Sequence, residues 1–305
     1  GYLPQYGQLA SKIAPVVNAF QYLRRLPGIG WLSEKITGFT VRRDLPRWSH
    51  RPFSNAELPS EAGQLQPVIL FADTFNRYFE PENLRAAVKV LIAAGYEPFI
   101  YVQKGDLPQC CGRTYLSVGR VKEARAHAQQ LTDSYLEFAR QGIPIVGLEP
   151  SCTLALRDEI PALLGHDDAQ LVARHTFTFE ELLARDKPQL PLKNTGQQAL
   201  LHGHCHQKAF DVVRPVETVL RDIAQFEVKT IETSCCGMAG AFGYGADTYD
   251  ISMKMGGARL FPAVNDAAED TVIVADGTSC RCQIADGTGR EAKHVARILA
   301  EQLDK

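Results

Sequence analysis

Residues 233–245 read TSCCGMAGAFGYG and residues 109–115 read QCCGRTY; this repetition of a cysteine pair followed by glycine governs the reading of the whole chain. Adjacent cysteines are poor disulfide partners, because the small ring they close strains the intervening peptide away from its planar trans form. Two neighbouring thiolates can instead reach two atoms of one polynuclear metal centre, and a following glycine lets backbone approach a bulky inorganic group. That reading requires partner ligands elsewhere in the chain.

The partners lie at matching places on either side of each pair. Before the first pair a strand-like run ends in FADTF with Asp73, and before the second one ends in HGHCHQK with Cys205. After each pair, at comparable distance, a strand-like run ends in Ser-Cys: EPSCTLALRDE with Cys152, and GTSCRCQI with Cys280. An internal duplication is therefore the first architectural hypothesis.

Between these landmarks the pattern alternates strand and helix. PVILFAD (67–73), EPFIYV (97–102) and IPIVGLEP (143–150) read as strands, PENLRAAVKVLIAAG (81–95) as a helix, and 120–141 and 153–185 as long helical stretches. The polar, proline-containing KPQLPLKNTGQQ (187–198) reads as a linker. Beyond it, ALLHGH (199–204), FEVKTIET (226–233) and TVIVADG (271–277) read as strands, and PVETVLRDIAQ (215–225) and EAKHVARILAEQL (291–303) as helices. The expected class is α/β: two pseudo-repeated α/β lobes with mostly parallel sheets, 63–192 and 193–305, preceded by a short helical segment, 1–62. Ligands in such sheets gather at the carboxyl ends of the strands, where every landmark falls.

In the leading segment Ser11 is the expected cap of a helix carrying Ile13, Val16, Val17, Phe20 and Leu23, with Pro15 in its first turn. Trp31, Leu32 and Ile36 mark a second short amphipathic piece. Eight basic residues stand between Gly1 and Phe53 against two acidic ones, Glu34 and Asp44. That pattern fits a basic docking arm for a partner or membrane surface, or a packed lead-in with a solvated face; Pro and Gly interruptions favour the packed form.

The totals describe an ordinary globular chain: 305 residues, 45% hydrophobic, formal net charge −2. A near-neutral balance gives no global pull toward nucleic acid, and no apolar run approaches the roughly 20 residues of a membrane span. No signal pattern is evident and the first residue is not Met, so the chain is expected to be part of something longer. Eight cysteines in a chain with this much core point to a reducing, cytoplasmic setting rather than a disulfide framework. Peripheral attachment at the inner membrane face is compatible with it.

In the second half Cys205, Cys235, Cys236 and Cys280 give the four thiolates an iron–sulfur cluster or a closed zinc site needs. Zinc sites of this type draw on close C-x₂₋₄-C pairs, which are absent, and adjacent thiolates suit a multi-iron body better. Arg113, Lys208 and Arg281 each lie within three positions of a candidate ligand and are placed to offset the charge of a thiolate-rich cluster. His202, His204 and His206 surround Cys205; hydrogen bonding around the ligands or proton uptake is expected of His204 and His206 before direct ligation.

The pattern of a first Cys, a later Cys-Cys-Gly and a final Cys near a strand end resembles the CCG cysteine-rich domain of the heterodisulfide reductase B subunit and the glycolate oxidase iron–sulfur subunit. FADTF, CCGR, LEPSC, HGHCHQKA, CCGMAGAFGY and ADGTSCR more closely resemble the carboxyl-terminal iron–sulfur part of FAD-linked oxidases of D-2-hydroxy acids, the D-lactate and D-2-hydroxyglutarate dehydrogenase type. The resemblance implies an electron-transfer module with [4Fe-4S] clusters, receiving electrons from FAD on a partner domain or subunit and passing them to a quinone or carrier protein. It makes Cys205, Cys235, Cys236 and Cys280 the ligands of the second lobe, and Cys110, Cys111 and Cys152 those of the first.

Departures from the family pattern matter as well. Asp73 stands where the first repeat is expected to have a cysteine, and Ala155 and Gln283 stand where each repeat would end in a second cysteine. The first lobe therefore has three thiols and holds a cluster with Asp73 or an outside ligand, shares one, or has lost its metal. Cys282 is a fifth ligand or a bystander. The competing functions are a zinc-stabilised scaffold and a thiol–disulfide enzyme using the vicinal pairs.

Overall fold

A computed structural model describes residues 3–26, 28–59, 65–101 and 109–304. Gly1, Val102 and the expected boundary at 62 and 63 lie outside the described residues.

The chain opens with three short helices, α1 (Leu3–Lys12), α2 (Ala14–Leu23) and α3 (Ile29–Thr37). Ser11 does not cap a helix: it lies in the last turn of α1, buried, its hydroxyl without a partner. Pro15 supplies no N–H to continue the α1 ladder, so a new helix begins at Ala14 instead. Val16, Trp31 and Ile36 are 72%, 63% and 74% exposed, so these helices keep a broad apolar surface in solvent. The residues after them are packed against the second lobe. Phe39 pairs with Gly245 in an antiparallel bridge, Thr40 N donates to Tyr244 O at 2.8 Å, and Arg43 is buried.

The first lobe runs β1 (Gln66–Phe71), α4 (Thr74–Tyr78), α5 (Pro81–Ala93), β2 (Tyr96–Phe99), α6 (Arg113–Leu116), α7 (Val121–Arg140), β3 (Ile145–Gly147), α8 (Pro150–Thr153), α9 (Glu159–Leu164), α10 (Asp167–Arg174), β4 (Thr176–Thr178) and α11 (Phe179–Asp186). The second runs β5 (Gln198–Leu201), α12 (Cys205–Ala209), α13 (Val213–Thr218), β6 (Glu227–Thr230), α14 (Tyr249–Asn265), β7 (Val272–Val274), α15 (Thr278–Thr288), β8 (Ala292–Lys293) and α16 (Val295–Gln302). Among the described residues the strands form two four-stranded sheets, ordered β2-β1-β3-β4 and β6-β5-β7-β8, with every pairing parallel. The identical order is the duplication expressed in space.

Alternation along the strands divides the interior into three layers. Val68 and Leu70 face one way from β1, Ile69 and Phe71 the other. The first face joins Leu84 and Val90 of α5 and Leu182 of α11 in a core that also takes in Ala199, Leu201 and Val274 of the second sheet, with Val216 and Leu299. α5 packs on α16 and α11 on α13, so the helices between the sheets meet across the lobes and the two share one core. The outer face of the first sheet packs on Leu131 and Tyr135 of α7. That of the second packs on Leu260 and Val264 of α14.

Two expectations fail at the sheet edges. The supposed long helix over 153–185 is broken into short helices and the edge strand β4, and residues 291–303 begin with the edge strand β8 before the helix starts at Val295. Pro161 and left-handed Gly165 interrupt the helical run. In β4, Thr176 and Thr178 point inward around a half-buried Phe177, a pattern too short to separate from helix by periodicity.

Candidate metal centre

Each Cys-Cys-Gly turn is built the same way. Gly112 and Gly237 both take positive φ, +76° and +90°, a region that a side chain rarely adopts. A Cβ on Gly237 would stand 2.5 Å from Ser252 O. In both turns the glycine N–H points back at the first cysteine: Gly112 N lies 3.5 Å from Cys110 Sγ, and Gly237 N 3.3 Å from Cys235 Sγ. Cys152 and Cys280 are each the third residue of a helix that starts just beyond a strand, α8 after β3 and α15 after β7.

These placements bring the thiols into two files. In the first lobe Cys110 contacts Cys111, which contacts Cys152. In the second Cys205 contacts Cys235, Cys235 contacts Cys236, and Cys236 Sγ lies 3.6 Å from Cys280 Sγ. Six of these sulfurs line a single cavity of about 620 Å³ at the carboxyl ends of both sheets, with Cys280 behind Cys236. Contact with Cys205 and Cys236 holds the Cys235 thiol down at about 2, and contact with Cys236 holds Cys280 well below its ordinary range. Cys205 and Cys236 are correspondingly pushed up by their neighbours and by burial. Touching thiols in one enclosure cannot all ionise alone, and a bound cation relieves that conflict. The residues fit a thiolate-bound metal centre.

Comparison with known proteins agrees with this geometry. Residues 73–157 match the CCG family, a cysteine-rich domain. Over 303 residues the chain is 29% identical to one of the subunits of the anaerobic glycerol-3-phosphate dehydrogenase of Escherichia coli K12, covering 97% of the chain and 74% of that protein. It is 22% identical to the D-2-hydroxyglutarate dehydrogenase of the same strain and 23% to that of Pantoea ananatis, covering only 29% and 24% of those longer proteins. The expected likeness to D-2-hydroxy-acid enzymes is thus shared with a glycerol-phosphate dehydrogenase.

Helix positions refine the correspondence between the two lobes. Asp73 is the cap of α4, its Oδ1 accepting from Phe75 N at 2.9 Å and Asn76 N at 3.1 Å, and its Oδ2 from Asn76 Nδ2 at 2.7 Å. His204 caps α12 in the same manner, its Nδ1 accepting from His206 N at 3.1 Å. The counterpart of Cys205, first residue of α12, is accordingly Thr74, first residue of α4, and not Asp73. Burial and the neighbouring Glu149 carboxylate push Asp73 up to about 7, while both its oxygens are already engaged.

The cations are placed unequally. Arg113 lines the cavity, paired with Glu159 at 3.0 Å and donating to His206 Nε2 at 3.0 Å across the lobes. Lys208 Nζ donates to Thr233 O and Ser234 O, fixing the chain that leads into Cys235. Arg281 turns away to Glu80 of the first lobe at 2.6 Å, so its charge is largely matched there. A ring nitrogen of buried His202 lies within 4.8 Å of the sulfurs of Cys236 and Cys280. Cys282 points elsewhere, against Tyr244.

Three contributors carried no sequence signal. Arg43 enters from the leading segment, donating to Gly243 O at 3.1 Å and pairing with Asp286 at 2.9 Å beneath the second glycine turn. Gln283, where a second cysteine was expected, donates to Cys236 O at 2.8 Å and so holds the turn through its backbone. Glu149 Oε2 accepts from Thr278 N at 2.8 Å, capping α15 from the opposite lobe, where Gly277 offers no side chain of its own.

Proposed function

We propose that this chain is the iron–sulfur electron-transfer module of a flavin-dependent dehydrogenase acting on a CH–OH group. The observation that carries the reading is the convergence of two files of thiols, Cys110, Cys111 and Cys152 with Cys205, Cys235 and Cys236, on one cavity, with Cys280 behind Cys236. When bound, an iron–sulfur centre there accepts and releases single electrons. The residues around it orient the ligands: Lys208 and Gln283 pin the second pair, and the two glycine N–H groups direct hydrogen bonds at sulfur.

Likeness to one subunit of a glycerol-3-phosphate dehydrogenase supports FAD on a separate polypeptide, and likeness to part of the longer D-2-hydroxyglutarate dehydrogenases supports FAD on the same one. The substrate class is a glycerol phosphate or a D-2-hydroxy acid, and a quinone or carrier protein receives the electrons. No helix among the described residues is long and apolar enough to cross a membrane.

The approach of His202 to Cys236 and Cys280 favours a second reading, a zinc-stabilised scaffold. Anaerobic purification decides between them. Iron with acid-labile sulfide and a bleachable visible absorption is expected; a colourless protein with stoichiometric zinc would overturn the proposal. Disulfide turnover that survives metal removal would instead identify a thiol–disulfide enzyme.

A further inference from the structure

The two lobes are equivalent in strand order, turns and helix starts, but not in ligands, and the difference falls on one atom. α4 and α12 are five-residue helices in the same place of each lobe, each begun by a side-chain cap, Asp73 or His204. The residue after the cap is Cys205 in the second lobe and Thr74 in the first. Thr74 lines the cavity that the three first-lobe thiols face, is 5% exposed, and its Oγ1 is buried without a hydrogen-bond partner. A buried hydroxyl left unpaired costs stability unless something else meets it.

We infer that Thr74 stands at the fourth position of the first-lobe site, so that this site offers three thiols, from Cys110, Cys111 and Cys152, and leaves one coordination position open to an exogenous donor. This rests on the iron–sulfur reading above. A neutral hydroxyl is a far weaker ligand for soft metals than a thiolate, and the capping carboxylate of Asp73 is engaged by Phe75 and Asn76. The cavity exceeds what a bare ligand set needs and falls in the size range of small-molecule sites. Arg113, paired with Glu159 at 3.0 Å, meets His206 within it at 3.0 Å, so N–H groups stand ready for a small donor with a sulfur, carbon or oxygen lone pair.

The test uses the whole chain, purified anaerobically, with cyanide as the probe. Iron and sulfide are measured first: a chain without them overturns this inference and the proposed function together. If the double variant C110S/C111S keeps all the iron of the unaltered chain, the first lobe is empty; the inference then fails and the proposed function stands. Otherwise cyanide is expected to shift the paramagnetic resonance spectrum of the unaltered chain and of Thr74→Ala, and to lose its effect in Thr74→Cys with iron content unchanged. An iron-loaded chain whose spectrum ignores cyanide, or a Thr74→Cys variant that still responds, overturns the inference.

Discussion

Replacing Glu80 by glutamine tests how the lobes are held in register. Arg281, its side chain 6% exposed, donates Nε to Glu80 Oε1 at 2.8 Å and Nη2 to Oε2 at 2.6 Å, and its Nη1 donates to Ala275 O and Asp276 O. Thr278 Oγ1 adds a third bond to the same carboxylate at 2.7 Å. Burial alone would push the Glu80 carboxyl up, but the Arg281 charge and the hydrogen bonds from Arg281 and Thr278 bring it from 4.5 down to about 2. At about 1.36 kcal/mol per pH unit, that fall is worth about 3 kcal/mol of folding stability. Deleting one partner of a buried pair costs about 3–5 kcal/mol by mutational precedent, whereas an exposed pair is worth about 0–1; with the Glu80 side chain 29% exposed, this pair falls at the lower edge of the buried range.

The sign follows from the direction. A carboxyl depressed in the folded state stabilises fully above its unfolded value near 4.5, and that contribution is lost as pH falls toward 2. Urea unfolding read by tryptophan fluorescence suits the measurement, since Trp48 lies with its ring centroid 4.3 Å from that of Phe79, beside Glu80. Glu80→Gln is expected to lower stability by about 3 kcal/mol at pH 7 and by only about 1.4 kcal/mol at pH 3. A deficit under about 1 kcal/mol at pH 7, or one that stays constant down to pH 3, would refute the reasoning.

Gly237→Ala forces a Cβ at φ +90° against Ser252 O and is expected to cost more than the roughly 1–3 kcal/mol of backbone strain alone, with loss of bound metal. Gly289→Ala, at φ +73° in open space, serves as the control in thermal melts and metal analysis, with strain only and full metal content. Arg43→Met strands Asp286 and frees Gly243 O and Gln283; metal content per chain is expected to fall although residue 43 touches no thiol ligand. After chelation, alkylation followed by mass spectrometry is expected to reach Cys205 and Cys235 first and buried Cys280 last, while the metal-loaded chain protects all three.

Much of the fold and of the thiol set was legible in the sequence, and the reason is chemical redundancy. Cysteine pairs and strand-end cysteines occur twice, so each half supported the reading of the other, and the apolar runs PVILFA and TVIVA marked β1 and β7 although β7 itself spans only Val272–Val274. The edge strands β4 and β8 were not, because three and two residues cannot establish a period. The sequence landmarks put Asp73 opposite Cys205, whereas the helix caps put Thr74 there. Aligning polar residues at strand ends ignores that the second lobe spends one more residue between strand and cap, and only the cap geometry reveals the offset. Arg43 and Glu80 were invisible because an interaction spanning about two hundred positions leaves no local pattern.

The duplicated lobes do not each carry a self-sufficient site. The α15 start that presents Cys280 has a glycine at its cap and takes its hydrogen bond from Glu149 of the first lobe. In return, His294 of the second lobe, its Nδ1 accepting from Ala296 N, donates Nε2–H to Leu148 O at the end of β3, one residue before Glu149. Burial holds His294 below its ordinary range, so it serves here as a neutral donor. The helices that carry Cys152 and Cys280 therefore each begin at a backbone position that the other lobe fixes. Separating the lobes would expose the shared core of α5, α11, α13 and α16 and also uncap the helix that delivers Cys280. A fragment spanning the second lobe alone keeps all four of its thiols in sequence and loses the geometry that brings Cys280 against Cys236.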